Sequence, residues 1–206
     1  AVLSSAQRAD VVAVDHEKQM FSRALSNYGE RVLREAESVA SSEGAIQRIR
    51  QSFDYDWVNQ RVGAWLEAYF DHDYIFVFDR NDRMIYSLVD HRPADAKWLA
   101  TARPGLTPVI DFMRGRDQNP RGAIRLNQVN PAETGAHRQT AVIRRLVDRP
   151  AVIAAVVVGP SDSIPSSIDG VAPILVSVKF IDDRALSHIA GQLHLNNLRK
   201  LDQDQV

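Results

Sequence analysis

The sequence predicts an α+β chain: a five-stranded antiparallel sheet, preceded by a long N-terminal helix and closed by a C-terminal helix. Three observations carry this. Residues 74–78 and 84–89 are two β-rich runs around a polar turn, so they predict a hairpin, and their nearly unbroken apolar character predicts that both of its faces are covered. Residues 140–147, 151–159 and 174–182 are three further apolar runs of strand length. Residues 5–50 contain no proline, and their apolar positions recur at spacings of three and four, the period of a helix.

The first helix occupies residues 1–50, and 51–206 is read as one structural unit containing the sheet and the last helix. Written as a heptad, its seam runs Val11, Val14, Lys18, Phe21, Leu25, Tyr28, Val32, Glu35 and Val39. Lys18 and Glu35 interrupt that seam. The spacing suits an amphipathic helix lying on its own domain, and its N-terminal half suits a homodimer contact. Asp54-Tyr55-Asp56-Trp57 is an acidic helix start, and Val58, Val62, Trp65, Leu66 and Tyr69 fall on one side of the helix that follows.

After the hairpin, Pro93, Pro104 and Gly105 break residues 92–106 into one or two brief helices, and Thr107-Pro108 opens another over 109–114. Residues 115–131 read as a flap. The strands at 140–147 and 151–159 are joined through Asp148-Arg149-Pro150, and 160–173 is a loop rich in Ser, Pro, Gly and Asp before the last strand. From Asp183 the helical period returns at Leu186, Ile189, Leu193 and then Leu195 or Leu198.

Composition narrows the function. With 206 residues and 45% hydrophobic content the chain can bury a substantial core. The net charge is −1, yet residues 101–150 hold nine arginines, no lysine and four acids, a local +5 on a remainder of −6. Those arginines lack the aromatic stacking platform expected of a single-strand nucleic-acid binder. There is no cysteine, hence no disulfide, thiol nucleophile or thiolate metal site. No apolar run reaches the ~20 residues of a membrane helix. The start at Ala1, without Met or a basic leader, reads as a piece of a longer protein.

No spacing required by a catalytic site is present, so the chain is read as non-enzymatic, without cofactor or metal. The histidines, His16, His72, His91, His137, His188 and His194, include no metalloprotease pair, and the phosphate-loop and nucleophile-elbow patterns are absent. The pairs Asp71 with Asp73 and Asp79 with Asp82 are read as turn residues.

A small-molecule site is predicted instead. On the last strand Leu175, Ser177, Lys179 and Ile181 share one face, and Ile174, Val176, Val178 and Phe180 share the other. The wholly apolar set is expected beneath the long helix, and the mixed set is expected to line a pocket. Trp57, Arg61 and Trp65, together with Tyr86, Arg144, Ser177 and Lys179, are the candidate ligand contacts. An inward Arg144 could hold a carboxylate bidentately.

Several stretches carry a resemblance to a known family. They are Asp56-Trp57 leading to Gly63-Ala64-Trp65-Leu66, then Asp73 to Asp79 with Tyr86-Ser87, then Pro150 to Ala155, and Pro173 to Asp182. Over residues 52–198 the chain resembles a CHASE-type extracellular sensor domain of the fourth variety, with a PAS-like sheet. The resemblance implies a periplasmic, ligand-sensing input domain of a membrane-bound signalling receptor. It also implies flanking membrane helices outside this stretch and a cytoplasmic output, a cyclic di-GMP cyclase or phosphodiesterase or a kinase. The family supplies no catalytic residues to carry over. The contrasting reading is a soluble, non-catalytic adaptor that recognises a protein partner through the same fold.

Overall fold

The computed structural model describes residues 2–126, 137–160 and 172–203, with side chains over 14–126, 137–160 and 172–193. Helix α1 spans Val2–Ala40, shorter than the 50 residues its sequence period suggested. It stops where Ser41, Ser42 and Gly44 follow one another. The Ser42 side chain caps the single turn α2, Glu43–Ala45, and a π-helical turn, Ile46–Gln51, follows. Asp54 then caps α3, Tyr55–Val58, its carboxylate accepting from the Trp57 amide at 3.0 Å. A second π-helical turn, Asn59–Gly63, leads into α4, Ala64–Phe70, which ends on Asp71 in the left-handed conformation.

The hairpin forms as its sequence predicts, with β1 at Tyr74–Phe78 and β2 at Met84–Val89. Asp79 Oδ1 accepts from the amides of Asn81 and Arg83 and so closes the turn. Beyond it, α5 runs unbroken over Ala96–Met113, where brief helices were expected. Pro104 and Pro108 lie inside it. Pro108 cannot donate to the Pro104 carbonyl four residues back, and the Arg144 guanidinium donates to that oxygen instead, at 3.1 Å. A side chain from the sheet therefore replaces a missing helical bond.

The sheet has six strands where five were expected, in the order β2-β1-β6-β5-β4-β3 and antiparallel throughout. The additional strand β3, Ile124–Arg125, lies in the predicted flap and pairs with the outer edge of β4, Gln139–Leu146. Two residues between glycine-rich and polar sequence carry too little pattern to announce a strand. Strand β5, Arg149–Val157, follows a two-residue turn in which Val147 and Asp148 both have positive φ, one residue earlier than the turn read from sequence. Strand β6, Ile174–Phe180, lies between β1 and β5, and α6, Asp183–Gln203, closes the described chain.

Both faces of the sheet are buried, but the assignment of faces is the reverse of the one expected. Ile174, Val176, Val178 and Phe180 form one core with Tyr74, Phe76, Ile153 and the α5 residues Ala102, Leu106, Val109 and Ile110. Trp98 of α5 completes it, edge-on to Tyr74 at 5.1 Å and stacked on Phe76 at 5.9 Å. The mixed face, with Ser177 and Lys179, turns instead toward the C-terminal half of α1 and the α3–α4 segment. Alternation correctly sorted the two sets, but α5 presents a long apolar stripe that short proline-broken helices would not have.

By contacts the chain divides into one unit of Gly29–Ile181 and another of Ala1–Tyr28 with Asp182–Val206. The second unit is helical, and within it Ala24, Tyr28, Ala185 and Ile189 are buried while Val14, Phe21 and Leu186 are exposed. The side chains of Val11, His194, Leu195 and Leu198, and most of the 160–173 loop, lie outside the described residues. No described helix is long and apolar enough to cross a membrane.

Two glycines separate packing from propensity. A Cβ at Gly63 would meet the Tyr86 hydroxyl and ring, whereas at Gly191, within α6, nothing lies within 4 Å. Gly63→Ala is expected to destabilise by about 1–3 kcal/mol through overpacking. Gly191→Ala is expected to stabilise its helix by about 0.5–1 kcal/mol. Urea denaturation of the two variants checks both signs.

Candidate functional site: a cleft between the hairpin tip and α5

The turn of the β1–β2 hairpin and the side of α5 that faces it line a cleft of about 740 Å³. Its walls are Phe78, Met84, Leu99, Leu106 and Ile110, and its polar groups are Asn81, Asp82, Arg83, Arg103, Thr107, Asp111 and Arg116. A concavity that sets convergent polar groups against an apolar wall is suited to a small molecule. A shallower groove of about 400 Å³ continues around α5 past Pro104, Pro108, Asp117 and Arg121, sharing Arg103, Thr107 and Asp111 with the first.

One side of the cleft is held by a charged network. Arg114, just past α5, donates to Asp82 Oδ1 at 2.8 Å, the Asp79 carbonyl at 2.9 Å and the Ala172 carbonyl at 2.6 Å. Burial lowers its pKa, and the Asp82 carboxylate opposes that shift. Arg116 bridges Asp82 at 2.7 Å and Asp111 at 2.8 Å. The hairpin tip, the end of α5 and the segment leading into β6 are thus tied through two guanidiniums. Arg83 and Arg103 differ. Among the described residues no ion pair or hydrogen bond engages either guanidinium, and both are exposed at the cleft.

The seven residues picked from sequence do not line this cleft. Trp57 is half-buried against Gly44, Arg61 is exposed, and Trp65 packs on the rings of Phe70, at 4.9 Å, and Tyr69, at 5.8 Å. Buried Tyr86 donates to Asn59 Oδ1 at 3.0 Å, and burial raises its pKa. Arg144 lies on the α5 face and serves backbone carbonyls of Pro104 and Arg121. Lys179 donates to the Phe70 carbonyl at 2.7 Å.

Ser177 is wholly buried and bonds His72 Nδ1, while His72 Nε2 lies 2.8 Å from Glu35 Oε2 of α1. This chain of three groups joins helix to sheet. Burial lowers the His72 pKa, against the raising influence of Glu35. Although a serine, a histidine and a glutamate recur in hydrolases, here the serine is sealed in a central strand, where no substrate can reach it. Sequence reasoning missed His72 and Glu35. The available signal was Ser177 itself, a hydroxyl in an otherwise apolar strand that requires a buried partner.

Arg114→Ala would leave two carbonyls and Asp82 without their donor. A loss of about 1–3 kcal/mol in stability is expected, with Arg114→Lys recovering only part because an ammonium cannot span three acceptors in one plane. Chemical denaturation gives the magnitude. Amide exchange at residues 79–83 shows whether the turn is what comes loose.

The CHASE4 domain model matches residues 24–200 of the chain. No curated protein matches it. The matched residues include all six strands, the hairpin and α5 that form the cleft, and the Glu35–His72–Ser177 chain. On that extent of match the chain belongs to the CHASE4 domain family, extracellular sensory domains of membrane-bound signalling receptors.

Proposed function

We propose that this chain is the periplasmic, non-catalytic input domain of a membrane-bound receptor and that its ligand is a small organic anion bound in the cleft between the hairpin tip and α5. The observation that carries the anion is the pair of unengaged guanidiniums, Arg83 and Arg103, beside an apolar wall. A carboxylate presents a planar acceptor that a guanidinium meets with two parallel hydrogen bonds. The apolar wall would take an aliphatic or aromatic body.

Binding would be read through the Arg114–Asp82–Arg116 network. An anion near Arg116 competes with Asp82 and Asp111 for the same donors, and so shifts the population between two arrangements of the hairpin tip and α5. The output such a domain would control is a cytoplasmic cyclic di-GMP cyclase or phosphodiesterase, or a kinase. The exposed seam residues Val14 and Phe21 support a homodimer through the N-terminal half of α1.

A thermal-shift screen against carboxylates, amino acids, phosphates and divalent metals tests the ligand class. A ligand at 100 times its Kd stabilises the fold by about 2.7 kcal/mol, visible as a raised Tm. A carboxylate hit that is lost in Arg103→Ala or Arg83→Ala, while those variants keep their unliganded Tm, is the expected result. A hit indifferent to both substitutions, or confined to metals, overturns the assignment.

A further inference from the structure

The buried Glu35–His72–Ser177 chain has a chemistry that the cleft does not use. A carboxylate only accepts, so His72 Nε2 must carry a proton and donate to Glu35 Oε2 at 2.8 Å. The neutral ring then has Nδ1 as an acceptor, and the Ser177 hydroxyl donates to it. In this one protonation state both ring nitrogens and the serine hydroxyl are satisfied. His72 is 1% exposed and Ser177 is 0% exposed.

A second proton disturbs that match. It would sit on Nδ1 and face the serine oxygen, so the hydroxyl proton would have to turn toward the aliphatic side chains of Ile75 and Ala154, the cross-strand neighbours of Ser177. The charged groups around the ring come from each element packed on it. Helix α1 contributes Glu35. Strand β6 contributes Lys179, and the segment before β1 contributes Asp73, which accepts from the Phe180 amide at 2.7 Å. The acids outnumber the other cations by one and favour an imidazolium, but loss of hydration opposes it more strongly, so the His72 pKa lies below its ordinary value near 6.5.

We propose that His72 is a proton-binding site and gives the domain a second input, external acidity, independent of the cleft. On protonation Nδ1 no longer accepts from Ser177, the charged ring stays with Glu35, and the Gly29–Ala40 stretch of α1 loses its tie through His72 to strand β6. The sign follows from linkage. A histidine whose folded-state pKa is lowered contributes stability that is fully present above the unfolded value of about 6.5 and is lost as pH falls through the folded value. Acid therefore loosens the tie, and neutral pH holds it.

The test follows the imidazole Cε1–H resonance of His72 by NMR, alongside amide exchange over residues 29–40, from pH 8 to pH 4, with exchange corrected for its intrinsic pH dependence. The expected result is a His72 midpoint below about 6.5 and a loss of protection over 29–40 with the same midpoint. His72→Gln, which keeps a donor for Glu35 and does not titrate, should abolish that loss. Glu35→Gln removes the group that favours the charged ring, and should move both midpoints to lower pH without needing the histidine variant to fold. Arg103→Ala, which alters only the cleft, should leave the response intact. Protection over 29–40 that is indifferent to the His72 titration, or a response unmoved in Glu35→Gln, overturns the proposal.

Discussion

Strand β6 is hydrogen-bonded on both edges and covered on both faces, and that double enclosure is the constraint on which the rest of the fold depends. A strand so placed can expose nothing, so each face demands a helical layer, and each polar side chain demands a partner within the protein. The α5 layer meets the purely apolar face with a continuous stripe from Ala102 to Met113. The opposite face carries Ser177 and Lys179. It is met by elements that can answer them: His72 with Glu35 for the hydroxyl, and the Phe70 carbonyl for the ammonium.

This enclosure separates two kinds of chemistry. Around the cleft, Arg83, Arg103 and Arg116 remain in reach of water, whereas Arg114 is buried among its three acceptors. Beneath α1 the groups are sealed, so a change of charge there is expensive and has structural consequences. The two sets of groups therefore lie apart, one at the hairpin tip beside α5 and the other between the sheet and the Gly29–Ala40 stretch of α1.

Much of the fold was legible in the residues. Alternation and apolar continuity located five strands to within a residue or two, and Asp54 marked its helix because capping is a local interaction between neighbours. What sequence could not show was distant in the chain. Pro104 and Pro108 read as breaks because their loss of a donor is local, whereas the compensating Arg144 comes from 40 residues away. The inverted faces share that cause, since a strand's two sets of side chains are evident from parity but the layer each meets is decided by helices elsewhere. The cleft was harder still. The guanidiniums of Arg83 and Arg103 stand at the cleft with no ion pair or hydrogen bond among the described residues, and partnership is a property of three dimensions, while Tyr86, Ser177 and Lys179 bond Asn59, His72 and the Phe70 carbonyl.

The two prolines of α5 have a mechanical consequence. Each removes one backbone rung from the helix, so bending resistance is lowest over Pro104–Pro108, the stretch that also contributes Leu106 and Thr107 to the cleft wall. A rod with a compliant middle does not transmit force evenly along its length. Bending there is the easiest deformation open to it, and the guanidinium of Arg144, donating to the Pro104 carbonyl, ties that point to strand β4.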